Sequence, residues 1–342
     1  MKKPLSFAAI GLDHRHIYGQ SENMQSVGAT FVSWWTDGEP ETLNGFDKRF
    51  PDVRRVKNRQ EILDDESIDL VLIAAVPADR ADLAIEAMEH GKDVMVDKPG
   101  CTSPEQLEAI KACVNRTGRI WSIDFSERFE VASVTKAAEL VQSGAIGKVV
   151  QTVGLGPHRL NRATRPDWFF QKERYGGILC DIASHQVDQF LFFTGSTDAT
   201  VSMASVGNYA NKADTGLQDF GEIALRSESA HGYIRVDWYT PDALPTWGDG
   251  RLTILGTEGT IELRKYVDIA RSDTTDHLYL VNGTRCEYMD CRDAGYPYFE
   301  QLADDIRHRT ETAMPQAHCF KVMELALQAQ AMADDQARSA LI

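Results

Sequence analysis

Residues 70–76 read LVLIAAV, a run that is apolar on both faces. Such a run is typical of a central strand in a parallel sheet, because helices then cover both sides of the strand. Further short apolar runs lie at residues 5–10, 30–35, 94–96 and 120–123. Amphipathic stretches separate these runs, so residues 5 to about 123 are predicted to form a doubly wound α/β domain with a parallel sheet.

The helices of this first region have recognisable ends. Ser103 offers an N-cap, Pro104 suits the first helical position, and Gln106 follows at the third. Gly118 is placed to end that helix, and Gly91 is placed to end a helix over residues 79–90.

The pattern changes after about residue 124. A helix is predicted over residues 132–143, and residues 148–292 then carry β-rich runs separated by Gly, Asp and Asn turns. These runs favour an α+β domain with an open, mainly antiparallel sheet. A final amphipathic helix is expected to pack back onto the body. We therefore predict two domains, at residues 1–123 and 124–342.

Composition excludes several classes of protein. The chain has 342 residues, of which 43% are hydrophobic, and this content excludes a disordered or fibrous chain. The formal net charge is -15 and no basic run interrupts the acidic background, so no nucleic-acid partner is expected. No stretch has the length of a membrane span, so no membrane partner is expected either.

The cysteines and the N-terminus favour a cytoplasmic protein. The six cysteines form no C-x-x-C pair and have irregular spacing, which indicates reduced thiols. The apolar run near the N-terminus is too short for a signal peptide.

Residues 11–20, GLDHRHIYGQ, follow the first predicted strand, where a dinucleotide-binding enzyme carries G-x-G-x-x-G. The three glycine positions read Gly11, Asp13 and His16. A carboxylate at the second position is unfavourable beside a diphosphate, although the helix N-terminus still offers amide donors. His14, Arg15 and His16 can add donors to the phosphates, so altered phosphate binding is the preferred interpretation.

Two other interpretations of this loop stay open. A metal site would need His14 and His16 to converge on one ion, but i,i+2 residues of a helix point apart and no third ligand is near in sequence. We therefore expect no metal. Alternatively, the two histidines only pack or cap the helix.

Thr36 and Asp37 follow the second predicted strand. At this place an acidic residue accepts a hydrogen bond from the ribose 2′-hydroxyl of NAD. If Thr36 rather than Asp37 holds that place, a 2′-phosphate is less strongly excluded. NAD and NADP therefore both stay open as the cofactor.

Asp97, Lys98 and Pro99 end the run VMVDKPG at the carboxyl end of a predicted parallel strand. Open α/β sheets bind ligands at this edge. A partly desolvated Lys98 could bond a substrate hydroxyl and exchange a proton with it. A solvated lysine after a strand is the structural alternative.

The run YGGILCDIASHQVDQ, residues 175–189, spaces Asp181, His185 and Asp188 at i, i+4 and i+7. One helix would present all three on one face. His185 could accept a proton from a sugar hydroxyl while Asp181 fixes its tautomer. A buried structural His–Asp pair is the alternative, and Asp188 is expected to be structural.

Together these motifs resemble the glucose-fructose oxidoreductase / inositol dehydrogenase / MocA (Gfo/Idh/MocA) family over residues 5 to about 335. The family's E-K-P motif reads Asp97-Lys98-Pro99, SGAIGK stands at residues 143–148, and the G-G-x-x-x-D-x-x-x-H-x-x-D motif begins at Gly176. The resemblance implies a Rossmann domain, NAD or NADP, and a small polyhydroxylated substrate. It also implies a homodimer or homotetramer formed through the open sheet. Lys98 and His185 would meet the substrate hydroxyl, with Asp181 in support.

The coenzyme side departs from the family pattern. The family's T-P-N-x-x-H stretch reads AAVPADRADL here, with Arg80 near the place of the histidine. The resemblance thus puts Val76, Pro77 and Arg80 at the coenzyme, together with Asp97 and Lys98.

Other polar and aromatic residues are candidates for the substrate pocket. Arginine and histidine suit hydroxyl-rich or carboxylated ligands, and tryptophan can cover a sugar face. These candidates are Arg128, His158, Arg159, Asp167 and Trp168, beside Asp181 and His185. Each of the first five could equally serve the fold.

The predicted activity is NAD(P)-dependent hydride transfer to or from a sugar, sugar acid or cyclitol. Two rivals stay open. One is an enzyme that keeps its coenzyme bound and uses transient oxidation to cleave a glycoside. The other is a non-catalytic sensor of sugar or dinucleotide. The presence of Lys98, Asp181 and His185 argues against a sensor, because a sensor needs no acid–base residues.

Overall fold

The apolar runs of the first region pair into a six-stranded sheet in the computed structural model, which describes residues 4–339. The strands are β1 (Ser6–Ile10), β2 (Thr30–Trp35), β3 (Arg54–Arg55), β4 (Leu70–Ile73), β5 (Asp93–Asp97) and β6 (Trp121–Asp124). They are ordered β3-β2-β1-β4-β5-β6, and every pairing is parallel. The predicted doubly wound α/β fold is confirmed.

Five helices connect these strands. They are α1 (His16–Ser26), α2 (Leu43–Arg49), α3 (Gln60–Leu63), α4 (Arg80–Glu89) and α5 (Pro104–Thr117). The predicted ends of α5 are observed. The Ser103 hydroxyl accepts a hydrogen bond from the Gln106 backbone N–H (3.3 Å), and Gly118 ends the helix in the left-handed conformation with φ 64°.

The centre of the first sheet is the place where its connections change direction. All four residues of β4 are buried, which explains why the sequence is apolar on both faces there. β4 lies beside β1, although β2 and β3 come between them in the chain. In such sheets the carboxyl ends of the two central strands form the ligand crevice.

The second sheet has eight strands. They are β7 (Val149–Pro157), β8 (Thr200–Gly207), β9 (Phe220–Arg226), β10 (His231–Asp237), β11 (Arg251–Gly256), β12 (Gly259–Arg264), β13 (His277–Asn282) and β14 (Cys286–Asp290). Their order is β14-β13-β12-β11-β7-β10-β9-β8. Only the pairing of β7 with β10 is parallel. The predicted open, mainly antiparallel sheet is therefore confirmed.

The remaining helices are α6 (Ser126–Phe129), α7 (Ala132–Gln142), α8 (Lys172–Tyr175), α9 (Ile178–Asp181), α10 (Ser184–Thr194), α11 (Pro297–His308) and α12 (Gln316–Ser339). Helices α7, α9 and α10 pack on the second sheet, whereas α11 packs on α1. α7 packs on β12 and β13 through a core that includes Val134, Ile261 and Leu280. α10 packs on β7, where a Cβ on Gly154 would lie 2.7 Å from Gln186 Cγ. The small residue in β7 thus admits the helix.

Contacts divide the chain into two units. The first unit comprises Met1–Asp124, Glu173–Gly176 and Pro297–Phe320, and the second comprises Phe125–Lys172, Gly177–Tyr296 and Lys321–Ile342. The segment that follows the second sheet in the chain therefore belongs to the first unit. Among the helices described, none combines the length and the apolar character that a membrane span requires.

Candidate active site

The loop after β1 is fastened to the ends of two neighbouring strands. Gly11 has φ +78°, and a Cβ there would lie 2.5 Å from the Ala75 Cβ, so both backbone conformation and space require glycine. The Gly11 N–H donates to the Trp35 carbonyl, and the His14 N–H donates to the Ala74 carbonyl, each at 2.9 Å. The loop therefore has a defined course along the carboxyl edge of the sheet.

Thr36 and Asp37, which follow β2, have different roles. Thr36 is buried, and its hydroxyl accepts a hydrogen bond from the Leu12 N–H at 3.2 Å, so Thr36 serves the loop itself. Asp37 is exposed, and its carboxylate accepts a hydrogen bond from the Gly38 N–H at 3.0 Å. An acidic side chain is thus available beyond β2, where a ribose hydroxyl is bound in dinucleotide sites.

The N-terminus of α1 fits an anionic group. No side chain caps the helix at Arg15, no acidic residue lies in its first turn, and the Arg15 side chain is exposed. Backbone N–H groups and the helix dipole therefore favour a phosphate at this end.

Asp13, at the second glycine position, turns toward the loop after β4. Burial raises the pKa of the Asp13 carboxyl to about 6, against the opposing effect of the nearby Arg80 charge. The carboxylate also accepts a hydrogen bond from the Val76 N–H. Val76, predicted to contact the coenzyme, therefore has its backbone donor engaged within the protein.

The Asp97 carboxylate at the end of β5 joins three side chains. It lies 2.9 Å from His14 Nδ1 through one oxygen and 2.8 Å from His16 Nδ1 through the other. Arg80 Nη2 donates to it at 2.9 Å. The expectation that the two histidines point apart is wrong, because α1 begins only at His16 and His14 lies in the preceding turn. The two imidazole rings instead meet edge to face, 4.3 Å apart.

Burial sets the charge states of this cluster. It lowers the pKa of His14 to about 4, although Asp97 opposes the shift, so His14 is neutral at pH 7. Burial alone would raise the pKa of Asp97, but Arg80 and the two histidines hold it well below the usual value. His14 therefore carries no positive charge at neutral pH, and only a neutral ring N–H could serve a phosphate there.

Hydrogen bonding accounts for the convergence of these groups. Ligand atoms of His14, His16 and Asp97 lie within 4.8 Å of one another, a spacing that a metal ion could use. The Arg80 guanidinium is 2.9 Å from one Asp97 oxygen, however, and its positive charge opposes a cation there. We assign no metal to this cluster.

Arg80 does not occupy the place that the sequence predicted. Its guanidinium is fully buried, and Nε donates to the Ala75 carbonyl at 2.7 Å. Nη1 donates to the carbonyls of Asp97 (3.0 Å), Lys98 and Pro99 (3.2 Å). Arg80 and the Asp97 carboxylate are therefore part of the framework, and we withdraw both as coenzyme contacts. Lys98 is buried directly after β5.

In the second unit, the predicted single helix is interrupted between Asp181 and His185. Asp181 ends α9 and His185 lies in α10. The Ala183 N–H bonds the Ile178 carbonyl at 3.3 Å, and the His185 N–H bonds the Ile182 carbonyl at 3.2 Å. These bonds span five and three residues, so the helical register is lost between the two elements. The prediction that one continuous helix carries Asp181, His185 and Asp188 is therefore wrong, because Asp181 lies in a separate helix.

Both predicted proton-handling side chains of this unit are buried. Asp181 is 8% exposed and His185 is 1% exposed. The His185 ring meets Phe125 edge to face with 6.2 Å between ring centroids. The position of His185 is thus determined by apolar packing as well as by its helix.

Arg128 and Asp188 form a buried ion pair. Arg128 donates through Nε and Nη2 to the two Asp188 oxygens at 2.6 and 2.7 Å. The guanidinium also lies over the rings of Phe129 and Phe192, at 4.1 and 4.5 Å. This pair connects α6 to α10, so we withdraw Arg128 from the predicted substrate-binding residues.

The other substrate candidates lie after β7. His158 is half-buried against Trp238 and Trp247, with ring centroids at 5.3 and 4.5 Å. Asp167 is exposed and Trp168 is half-buried. These side chains are accessible to different extents within the second unit.

Arg159 holds the wall of a cavity of about 1100 Å³. It donates to the carbonyls of Pro241 and Leu244 at 2.8 and 2.6 Å. The cavity is lined by residues that include Arg235, Tyr239 and Leu244, and its described lining contains none of the predicted catalytic side chains. We therefore do not place the chemistry in this cavity.

Gln330 is a site-building residue that sequence reasoning missed. Its side-chain oxygen accepts a hydrogen bond from the Leu179 N–H at 3.0 Å. A Cβ on Gly177, which has φ +90°, would lie 2.3 Å from that oxygen. Gly177 is therefore required by a side chain 153 residues away in the chain, for which no local signal exists.

Comparison with known proteins identifies the family. A model for an oxidoreductase family with an NAD-binding Rossmann fold matches residues 28–125, and a model for the GFO/IDH/MocA C-terminal domain matches residues 134–262. Together the two matches include part of each sheet, because β1 lies before the first match and β13 and β14 lie after the second.

Curated relatives include two sugar or cyclitol enzymes. Scyllo-inositol 2-dehydrogenase (NAD(+)) of Bacillus subtilis is 28% identical over 207 residues, 59% of this chain and 56% of the relative. Levoglucosan dehydrogenase of Pseudarthrobacter phenanthrenivorans is 26% identical over 204 residues, 59% of this chain and 52% of the relative. The matched region thus spans about half the length of these relatives.

Solved structures match over nearly the whole chain. A crystal structure from Erwinia carotovora atroseptica SCRI1043 has a TM-score of 0.93 and 45% identity, and covers 96% of this chain and 98% of that one. Levoglucosan dehydrogenase in complex with NADH and levoglucosan has a TM-score of 0.77 with 98% coverage of both chains, but at 20% identity it shows the fold alone. The two family models and these similarities agree with the motifs at Lys98 and Gly176, and the chain belongs to the Gfo/Idh/MocA family of oxidoreductases.

Proposed function

We propose that this chain is an NAD(P)-dependent dehydrogenase that acts on a hydroxylated carbon of a sugar, sugar acid or cyclitol. The observation that carries the proposal is the buried lysine, Lys98, held at the carboxyl end of β5 next to a loop and helix N-terminus that suit a diphosphate. Family membership supports the same reading, and the relatives named above are dehydrogenases of such compounds.

The residues of the first unit fit a dinucleotide. The uncapped N-terminus of α1 and the exposed Arg15 offer donors to phosphates, and Asp37 offers an acceptor to a ribose hydroxyl. Gly11 keeps the tight turn of the fingerprint. The Nδ1 atoms of His14 and His16 lie 2.9 and 2.8 Å from Asp97 oxygens, so the two histidines shape this loop.

The proton chemistry is assigned to Lys98 or His185. When bound, a nicotinamide ring supplies the hydride acceptor for alcohol oxidation and the donor for the reverse reaction. In oxidation, the assigned side chain accepts the hydroxyl proton while the C–H bond breaks with loss of hydride and the C=O bond forms. In reduction, the same group returns the proton. Asp181 is proposed to support His185.

Substrate recognition is proposed to involve the second unit. His158, Trp168 and Asp167 remain candidates, because their side chains are partly or fully exposed. Arg159 is proposed to act by holding the loop that contains Pro241 and Leu244. Hydroxyl-rich ligands need such polar groups beside an aromatic surface.

We also propose a homodimer or homotetramer formed through the uncovered face of the second sheet. Leu255 and Val281, 43% and 46% exposed, both pair with Thr260 and so form one row across three strands. An apolar row on a sheet face is typical of a surface that a second copy covers.

Sedimentation velocity is expected to show an assembly larger than one chain. The double variant Leu255→Glu, Val281→Glu is expected to reduce this assembly to a monomer.

A cytoplasmic location is proposed on the cysteines. Cys101, Cys113, Cys180, Cys291 and Cys319 are buried thiols and Cys286 is an exposed thiol, all in the described part of the chain. Free thiols persist in reducing compartments.

Substitution of the proposed proton-handling residues tests the activity. Lys98→Ala and His185→Ala are each expected to lower kcat by roughly 10²–10⁴-fold, since a positioned acid–base group contributes about that much. The measurement is stopped-flow absorbance of the reduced nicotinamide with a panel of sugars and cyclitols.

Matched controls exist in the same chain. Lys92 is a buried lysine before β5 that donates to the Asp65 and Ile68 carbonyls, and His277 is a buried histidine of the second sheet that pairs with Tyr288. Lys92→Ala and His277→Ala are expected to retain kcat within roughly threefold, because the hydrogen bonds of these side chains reach neither the Lys98 segment nor the helix that carries His185. Wild-type turnover in both catalytic variants would reject the assignment.

The same assays separate the rival functions. Product formation without net coenzyme reduction would favour glycoside cleavage, and coenzyme binding without turnover would favour a sensor.

Coenzyme affinity is expected to depend on the charge of Asp13. The carboxyl is mostly neutral below its pKa of about 6 and mostly ionised above it. Because an ionised Asp13 repels a diphosphate, the Kd for NAD is expected to rise as pH increases through this value. Asp13→Asn is expected to remove the rise, as measured by titration calorimetry from pH 5 to pH 8.

The same variant has a second readout in stability. The folded-state pKa of Asp13, about 6, exceeds the usual aspartate value of 3.8, so ionisation of Asp13 lowers the free energy of unfolding as pH rises above 3.8. Asp13→Asn should therefore raise this free energy at pH 8 by at most about 3 kcal/mol, and should change it little below about pH 4. Asp52→Asn removes an exposed charge of the same unit and is the control. A pH-independent effect of Asp13→Asn would contradict the assigned charge state.

Asp37 is expected to set the coenzyme preference. Its exposed carboxylate repels a 2′-phosphate, so the wild-type protein should prefer NAD. Asp37→Ser is expected to lower the ratio of kcat/KM for NAD to that for NADP by roughly tenfold, or about 1.4 kcal/mol. Glu39→Gln, at a nearby exposed carboxylate, should leave the ratio unchanged. An unchanged ratio in Asp37→Ser would place coenzyme selection elsewhere.

A further inference from the structure

We propose that Arg80 is the positioning residue for Lys98. Its buried guanidinium holds the three peptide carbonyls on and beside the lysine, so that the lysine backbone has one defined path. This inference rests on the proposed dehydrogenase function, in which Lys98 exchanges the substrate proton.

The contacts of Arg80 converge on the lysine segment from a different strand connection. Arg80 is the first residue of α4, and its Nε is anchored to the Ala75 carbonyl after β4 at 2.7 Å. From that anchor, Nη1 reaches the carbonyls of Asp97, Lys98 and Pro99, two of them at 3.0 and 3.2 Å. One side chain thus joins the end of β4 to three successive residues after β5.

The geometry requires an arginine rather than a generic cation. A guanidinium presents donors in several fixed directions within one plane, whereas a lysine ammonium is a single point. Here the donors serve the carbonyl after β4, the carbonyls after β5 and the Asp97 carboxylate at 2.9 Å. An ammonium at this place could not satisfy all three directions together.

Burial makes these bonds decisive for the position of the segment. The Arg80 side chain and the Asp97 carboxylate are each 0% exposed. Water therefore cannot replace a lost donor, and carbonyls left without one would move to find another. Lys98 is itself only 3% exposed, so a displaced backbone displaces its ammonium as well.

Further contacts restrain Arg80 itself. The Asp97 oxygen that accepts from Arg80 also lies 2.9 Å from His14 Nδ1, and the other Asp97 oxygen lies 2.8 Å from His16 Nδ1, both in the loop after β1. Because this loop is the proposed coenzyme loop, the lysine segment and the coenzyme loop share one carboxylate. Arg80 is thereby held between two parts of the proposed site without touching substrate or coenzyme.

The test compares Arg80→Gln and Arg80→Lys with Arg309→Gln. Arg309 is a matched control in the same unit: it donates to the Asp93 carboxylate at 2.7 Å and to the Gly118 carbonyl at 2.6 Å, at the opposite end of β5. Both arginines thus bond a carboxylate of β5 and a backbone carbonyl, but of the two only Arg80 contacts the lysine segment.

We expect Arg80→Gln to lower kcat by roughly 100-fold, the loss typical of a small misplacement of a reacting group, with KM changed by less than about threefold. The pH profile of kcat/KM should also change, because the side chain proposed to exchange the proton is displaced. Arg80→Lys keeps the positive charge but not the planar set of donors, so its kcat should lie between those of Arg80→Gln and the wild-type protein. Arg309→Gln should lower the midpoint of thermal unfolding and leave kcat and the pH profile unchanged.

A measurement that does not depend on turnover distinguishes the positioning role of Arg80 from the proposed dehydrogenase function. Proteins labelled with ¹³Cε-lysine give an NMR signal for each lysine, and Lys98→Arg assigns the Lys98 signal. Arg80→Lys, or Arg80→Gln if it folds, should change the chemical shift of the Lys98 signal at fixed pH, because a displaced backbone moves the buried side chain. Arg309→Gln should not shift it.

Each outcome has a defined meaning. If the wild-type protein turns over no sugar or cyclitol, the proposed function fails, while a changed Lys98 chemical shift in the Arg80 variant still supports the positioning role. If Arg80 variants lose thermal stability as Arg309→Gln does but keep kcat, the pH profile and the Lys98 chemical shift, Arg80 is only a framework residue and the inference is overturned.

Discussion

The buried Asp97 carboxylate is the charge around which the carboxyl edge of the first sheet is organised. Removing a carboxylate from water is costly unless donors replace the solvent, and here Arg80, His14 and His16 do so. The same bonds attach the loop after β1 to the end of β5. A loop that keeps only one glycine of the fingerprint can therefore hold a defined course, because side chains fasten it where glycines usually allow close backbone approach.

The second unit repeats this arrangement with different elements. The buried Arg128–Asp188 pair joins α6 to α10, and α10 carries His185. Glu127, next to Arg128, accepts from Lys265 Nζ at 2.6 Å and from Gln186 at 2.9 Å, again without solvent. In each unit, a buried arginine–aspartate pair thus lies beside the candidate catalytic side chain. Such pairs add little net stability but are costly to separate, so they restrict position rather than strengthen the fold.

Local sequence rules predicted the elements well where a single segment supplies the physical cause. The apolar run at residues 70–73 is a fully buried strand, and Ser103 and Gly118 end α5 as expected. The same rules failed at His14 and at the interruption after Asp181. In both cases the assumption of one continuous helix was wrong, and no glycine or proline marks either place.

The order and spacing of residues were sufficient to predict the two sheets, the family and the candidate chemistry at Lys98 and His185. These features depend on hydrophobic periodicity and on motifs contained in short segments. The partners of the buried charges could not be read in this way. Arg80 bonds residues 17 to 19 positions away, Arg128 pairs 60 positions away, and Gln330 reaches 151 positions to Leu179. Such pairs form because a buried donor without an acceptor is costly once water is removed. The acceptor therefore depends on the folded structure and not on its distance along the sequence.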